Sequence, residues 1–363
     1  MPLNIDIAFK WGQKKKEEPP KPTTTTTTTT NTNTGTKNES SEEDSSTCSS
    51  CSSSSESSTS LTLESVTALS DVVTNPTQFS ESLQSTQREE ISTAHGRPLS
   101  NKRLIVVVRH AERMDRVFPS WLTLANSNGD YRPYDANQPR RLPQRHGGLS
   151  LFVNDPPLTR LGQSVAVLRG KSMDYVHFVP AAIYSSPALR CIETAHLIAQ
   201  ALSMKADIRI EPGLFDWTGW YMDGVPVWMT ISELVAAGYN VDRNYKPIQT
   251  AESVMRLREE NKHELYRRIQ SVITQINKKV RGNVLIVGHA TTLDAGVRSL
   301  LGLQNSVPKF KELDKLGDRY AYCSSVVLEQ THDREHFKIG KSLNPITTNG
   351  YSTTIDNDFL LRP

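Results

Sequence analysis

The sequence predicts an α/β fold, a three-layer α/β/α sandwich with a largely parallel central sheet. Three observations carry that expectation. Leu104–Val108 (LIVVV) and Asn283–Val287 (NVLIV) are short runs of the kind that form strands buried on both faces. Segments of helical period alternate with them. Each run also ends abruptly in polar residues, Arg109-His110 after the first and Gly288-His289 after the second. Open α/β sheets bind ligands beyond the carboxyl ends of their strands. The two histidines therefore stand where such a fold keeps its chemistry.

Length allows one large or two ordinary domains. Hydrophobic residues are 36% of the 363, and the deficit lies in the first hundred positions. Thr23–Thr30 is an unbroken threonine run, and Ser40–Ser60 is serine-rich with Glu42, Glu43, Asp44 and Glu56 interspersed. Such composition buries too little apolar surface to offset ordering entropy. Residues 1–96 are thus expected to be a disordered tail and 97–363 the folded domain. A net charge of +3 with dispersed Lys and Arg speaks against nucleic acid as a partner. No stretch approaches the roughly 18 apolar residues of a membrane span. The amino terminus lacks the apolar region of a secretion signal. Four cysteines are too few for a disulfide framework, so a cytoplasmic location is expected. Cys48-x-x-Cys51 is half of a zinc motif with no second half nearby, and reads as two thiols in a serine tract.

Along the chain, a long excursion, 116–155, follows the first strand and carries Arg132, Arg140, Arg141 and Arg145. Loops of this length are usually functional, so these arginines either shape a substrate mouth or face solvent. Thr159 is a candidate N-cap for a helix with Leu161, Val165 and Leu168 at helical spacing. A second strand, 181–185, runs into Ser186-Pro187, read as a cap followed by a first-turn proline. Leu189, Ile192, Ala195, Ala199 and Leu202 would be the buried face of that helix. Arg190 lies in its first turn and opposes the macrodipole; it is either tolerated at the surface or kept to hold an anion. A short strand at 208–210 leads into the aromatic loop 211–224. A helix at 232–237, one long helix at 253–279, the 283–287 strand, a helix at 292–301 and a late strand at 320–328 complete the pattern.

The motifs RHAER at Arg109–Arg113, SSPALRC at Ser185–Cys191 and VGHA at Val287–Ala290 resemble the histidine phosphatase (phosphoglycerate-mutase-like) superfamily. Further segments narrow the resemblance: LPQR (142–145), DPPLTRLG (155–162), EPGLFDW (211–217) and NVLIVGHATTLDA (283–295). Together they look like the phosphatase domain of the Sts/TULA proteins, the ubiquitin-associated and SH3 domain-containing phosphatases, with which insect ecdysteroid-phosphate phosphatases belong. The likeness runs from about Leu104 to the carboxyl terminus. It does not extend to the amino-terminal modules of those proteins, so adaptor functions are not expected here. Asp216 stands where the family has its proton-donating Glu, and Ala111 follows the first histidine where Gly is usual.

This resemblance implies a metal-independent phosphomonoesterase with no cofactor. His110 would be the nucleophile, forming a phosphohistidine. Its second ring N–H would be held by an acceptor, most simply a backbone carbonyl. Arg109, Arg113 and Arg190 would grip the phosphate oxygens, since guanidinium forks match phosphate and stay charged. His289 would donate to the same oxygens, and Asp216 would protonate the leaving group and then activate water. Glu211 is a weaker substitute for that acid, and Glu112 and Asp115 read as structural. No C-x5-R motif supports a cysteine phosphatase, and Cys191 reads as a small buried residue. Protein phosphotyrosine and a small hydrophobic phosphate ester both suit the family as substrate, and a homodimer is compatible with it. The alternative is a catalytically weak pseudo-phosphatase that binds phosphate or acts as a scaffold, for which the one-methylene-shorter Asp216 is the support.

Overall fold

In the computed structural model the described residues are 99–127, 129–204, 206–221, 226–257, 259–332 and 336–363. The expected tail, with its threonine and serine tracts and the Cys48–Cys51 pair, lies outside the described residues, as does 222–224 of the aromatic loop.

Among the described residues the strands β1 (Leu104–Arg109), β2 (Ala182–Ser185), β3 (Ile208–Ile210), β4 (Val284–Gly288), β5 (Ser325–Gln330) and β6 (Phe337–Ile339) form one sheet, in the order β3-β2-β4-β1-β5-β6. The pairs β3–β2, β2–β4 and β4–β1 are parallel, whereas β5 and β6 add an antiparallel edge. The expected largely parallel α/β sheet is therefore present. Every residue of β1 and β4 is buried, as strands with helices on both faces require. Alternation along β1 divides the core in two. Val106 and Val108 join the layer containing α1 (Arg160–Tyr175) and α2 (Leu189–Ala201). Ile105 and Val107 join the layer containing α3 (Lys262–Lys279) and α4 (Ala290–Leu300).

Helix α1 starts where the sequence places it, with the Thr159 hydroxyl accepting from Gly162 N at 2.9 Å. Its buried stripe is different from the one the leucines suggest. Leu161 is 38% and Leu168 48% exposed, and the face turned inward is Gly162, Val165, Ala166, Arg169, Gly170 and Met173. Small residues are needed because α1 and α2 approach closely. A Cβ on Gly170 would stand 2.6 Å from Ala201 Cβ and 2.8 Å from the Ile198 carbonyl oxygen.

Three other element expectations are corrected. Ser186-Pro187 does not open α2; the helix begins at Leu189 with Ala188 as N-cap, and its first N–H is taken by Asp155 Oδ1 at 2.8 Å. Distant Asp155 thus does the capping that a local serine was expected to do. The segment 253–279 is two helices, Ala251–Met255 and α3. Glu260 turns inward to accept from Arg268, and Asn261 with Glu264 builds a capping box that starts α3 afresh. The late strand begins at Ser325, because residues 321–324 make a turn in which Cys323 has φ 57°.

Gly170→Ala gains helix propensity but overlaps the backbone of α2. It should lower the unfolding free energy of the full chain by about 1–3 kcal/mol in urea melts; a more stable variant would contradict the close approach.

Candidate active site

Strand register assembles the site. Arg109 pairs with Gly288 and Ser185 with Val287, so the residues just past β1, β2 and β4 come level at one sheet end. These residues are His110, Ser186 and His289. His110 is gripped from both sides through its backbone, its N–H donating to Gly288 O at 2.8 Å and its carbonyl accepting from Cys323 N at 3.1 Å. Its Nδ1 lies 2.8 Å from the Ala111 carbonyl oxygen. A carbonyl can only accept, so Nδ1 carries the proton and Nε2 keeps its lone pair. Burial, reinforced by the neighbouring Arg190, Arg109, His289 and Arg113, pushes the His110 imidazole well below its ordinary pKa.

The His289 ring centroid lies 5.4 Å from that of His110, edge to face. Both its nitrogens are engaged. Nε2 is 2.8 Å from Ser186 Oγ, and Nδ1 is 3.2 Å from Arg190 Nη2. Arg190 can only donate, which makes Nδ1 an acceptor and places the proton on Nε2. Burial together with the neighbouring arginines outweighs Asp216 and holds His289 well below its usual pKa as well. Asp216 accepts from Thr291 Oγ1 at 2.7 Å and from Trp217 N at 3.1 Å through one oxygen. Its other oxygen lies 3.4 Å from His289 Nδ1 and 3.8 Å from Arg190 Nη2. Burial alone would raise this carboxyl. The neighbouring His289, the Arg190 guanidinium and the two hydrogen bonds outweigh it and hold Asp216 below the ordinary carboxylate value.

Three arginines complete the pocket. Arg190 is wholly buried, and its Nη2 also reaches Tyr221 Oη at 3.4 Å. Arg109 Nη1 donates to Gly317 O at 2.8 Å and to Tyr320 O. Arg113 makes a two-pronged pair with Asp115, at 2.6 and 2.7 Å. The buried nitrogens Arg109 Nε, Arg190 Nε and Arg190 Nη1 have no hydrogen-bond partner among the described residues. Unsatisfied buried donors of this kind are costly, and an oxyanion would satisfy them.

Other residues singled out by sequence are distributed differently. Arg145 is buried in an ion pair with Asp155 at 3.2 Å and also donates to Leu151 O and Val227 O. It ties the excursion to the start of α2, while Arg132, Arg140 and Arg141 are exposed. Glu112 accepts from Thr159 Oγ1 at 2.6 Å, a structural use. Glu211 lies outside the pocket's chemistry, its carboxylate taken by Gly213 N, Tyr245 Oη, Ile248 N and Gln249 N. Cys191 is buried, and its thiol is pushed up to about 12 chiefly by burial. Trp217 is buried with its Nε1 bonded to Glu260 O at 2.6 Å. Sequence reasoning missed Tyr322, whose ring centroid lies 5.6 Å from that of His110, and Thr291. Tyr322 lies in no motif, and Thr291 lies inside the 283–295 segment without a role read from it; the turn before β5 and the first turn of α4 bring them here. Among the described residues no cluster of three or more His, Cys, Asp or Glu is arranged to hold a metal.

Residues 141–339 match the model of the histidine phosphatase superfamily (branch 1). Ecdysteroid-phosphate phosphatase of Drosophila melanogaster is 37% identical over 235 residues, which is 64% of this chain and 31% of that protein. Ubiquitin-associated and SH3 domain-containing protein B of Mus musculus is 36% identical over 250 residues, 65% of this chain and 38% of that one. The chain thus spans about a third of the length of these curated relatives. The crystal structure of the Bombyx mori ecdysone phosphate phosphatase with tungstate superposes with a TM-score of 0.59 at 31% identity, covering 72% of this chain and all of that one.

The histidine environments set a pH expectation. A depressed pKa means the neutral imidazole is kept as pH falls, so the ring signals of His110 and His289 should stay at their neutral positions in NMR spectra from pH 8 to about 5.5, although a free histidine titrates near 6.5. A midpoint near 6.5 for either would show that its burial is lost in solution.

Proposed function

Because the chain belongs to the histidine phosphatase superfamily, we propose that it is a phosphomonoesterase acting through a phosphohistidine at His110. One observation carries this reading. A buried, unprotonated imidazole with a free Nε2 lone pair shares a pocket with guanidinium nitrogens that lack partners. Such a pocket suits a phosphate monoester better than a neutral ligand.

In the mechanism that follows, Arg109, Arg113 and Arg190 hold the non-bridging oxygens and neutralise their charge. His110 Nε2 attacks phosphorus as the bond to the leaving oxygen breaks, and Asp216 gives that oxygen its proton. The Asp216 carboxylate then takes a proton from water, which attacks the phosphohistidine and releases orthophosphate and neutral His110. His289 reaches the phosphate only by exchanging one of its present partners, Ser186 or Arg190. Burial and its positive neighbours keep it a neutral hydrogen-bonding group rather than an acid. The substrate class we propose is a monoester with a hydrophobic leaving group, a protein phosphotyrosine or a small ester. Support comes from Tyr221 and Tyr322 beside the arginines and, for the small ester, from the name of the ecdysteroid-phosphate phosphatase among the relatives. The two described cysteines are free thiols, in keeping with a cytoplasmic enzyme.

A weaker catalyst is the second reading, and a specific observation favours it. Asp216 is held ionised between His289 and Arg190, whereas a general acid must begin protonated.

Hydrolysis of p-nitrophenyl phosphate in the presence of EDTA tests the proposal. His110→Ala should lose about three orders of magnitude or more; retained turnover would exclude His110 as nucleophile. Asp216→Asn should cost about a hundredfold or more on an alkyl phosphate and much less on p-nitrophenyl phosphate, whose leaving group needs little protonation. The sign of the pH dependence follows from the lowered carboxyl. Above its pKa, the protonated fraction of Asp216 grows about tenfold for each unit of acidification. Since His110 stays unprotonated there, kcat/KM for the alkyl ester should rise from pH 8 toward pH 5, and Asp216→Asn should flatten that rise. A profile that falls with acidification would remove Asp216 from the role.

A further inference from the structure

We infer that Tyr322 is a positioning residue for Arg109, its ring fixing the plane in which that guanidinium meets the phosphate. The inference rests on the reading of Arg109 as an anion ligand.

The guanidinium of Arg109 is fixed at one corner only by hydrogen bonds. Nη1 takes the Gly317 and Tyr320 carbonyls, so the edge formed by Nε and Nη2 is the one left to present to an oxyanion. Two bonds at one corner do not stop the plane from swinging. The Tyr322 ring does, because the guanidinium carbon lies 4.2 Å from its centroid. A cation over a ring face is attracted by the ring quadrupole, and a planar guanidinium stacks there as an ammonium cannot. Gly317 also lies against the guanidinium, where an added Cβ would stand 3.4 Å from Nη2, in ordinary contact.

The ring is itself held by the backbone. Cys323, next in sequence, has φ 57°, uncommon for a residue with a side chain. Three hydrogen bonds keep the turn in that conformation. Cys323 N donates to His110 O at 3.1 Å, Arg109 N donates to Ser324 O at 3.0 Å, and buried Arg169 donates from Nε to Cys323 O at 3.2 Å. The nucleophile, the arginine and the ring are therefore one rigid unit, and strained backbone of this sort persists where the surroundings over-determine it. Tyr351, 6.3 Å from Tyr322 between ring centroids, backs the ring from the carboxyl-terminal segment.

Full-length protein carrying Tyr322→Met or Tyr322→Phe tests this, with Tyr322→Leu in place of the Met variant should that one give no cooperative melt. Binding of orthophosphate and of tungstate is measured by calorimetry, independently of turnover, beside KM and kcat on p-nitrophenyl phosphate. The Met variant should bind both oxyanions about three- to tenfold more weakly and show a matching rise in KM, with kcat within about twofold of wild type. Phe keeps the ring and should restore both values. In an Arg109→Lys background the Met substitution should have less than about a twofold effect, because the planar group whose orientation the ring fixes is gone. Unchanged oxyanion binding in the Met variant overturns the inference, as does a Phe variant as weak as Met or an equal Met effect in the Lys background. If the wild-type chain binds neither oxyanion, the phosphate-site reading itself falls.

Discussion

Positive charge confined in a buried pocket is the constraint on which the site depends. Arg109, Arg113 and Arg190 converge on His110, and all three depress its pKa alongside burial. Opposing charge is scarce there. Asp115 is consumed by Arg113, and Asp216 is shared between Arg190 and His289. Two consequences follow from Coulombic interaction at low effective dielectric. The imidazoles stay neutral, which is the state a nitrogen nucleophile requires. The carboxylate stays ionised, which delays the proton donation a leaving group requires. An incoming phosphate would reverse the second effect, since its charge partly cancels that of the arginines and raises the Asp216 pKa.

Holding such a pocket open requires restraints that do not come from the pocket. Much of the restraint comes from buried charged residues set back from it. Asp155 receives Arg145 and caps α2, so the long excursion is fastened to the helix that bears Arg190. Glu260 receives Arg268, which in turn donates to the carbonyls of Gly213, Phe215 and Asp216, fixing the loop that carries the acid. Asp294 accepts from Tyr266, Tyr320 and Arg298, and the Tyr320 carbonyl meets Arg109. Removing one partner from such a buried pair leaves an uncompensated charge costing about 3–5 kcal/mol. These residues therefore bear on the site's geometry as well as on stability. They contact the backbone of the functional loops, where small displacements alter reaction geometry.

What the amino-acid sequence determined by itself was whatever local chemistry dictates. Unbroken apolar runs marked β1 and β4, since a strand buried on both faces tolerates nothing else. The strand-end positions of His110 and His289 followed from those runs, and the motifs around them carried the family. The interior spacing of α2 named five residues that are buried, Leu189, Ile192, Ala195, Ala199 and Leu202, but not Arg190, Cys191, Glu193, Thr194 and Ile198, which are buried as well. Tertiary structure decided what depends on contact between distant segments. The α1 face could not be read from its leucines because it is set by how closely α2 approaches. Asp155 displaced Ser186 as the cap of α2, and Ser186 went to His289 instead. The break before α3 came from Glu260 turning toward Arg268, eight residues on. Arg145 looks in sequence like one more basic loop residue; only Asp155 and Val227 make it internal. Tyr322 carries no pattern at all, because its place against Arg109 is created by a left-handed residue and hydrogen bonds to two distant parts of the chain, the end of β1 and α1. Sequence records the preferences of each segment, but the partners of a buried polar group are fixed only when the chain brings them together. The unpaired arginine nitrogens and the charge balance at Asp216 belong to that second kind of information.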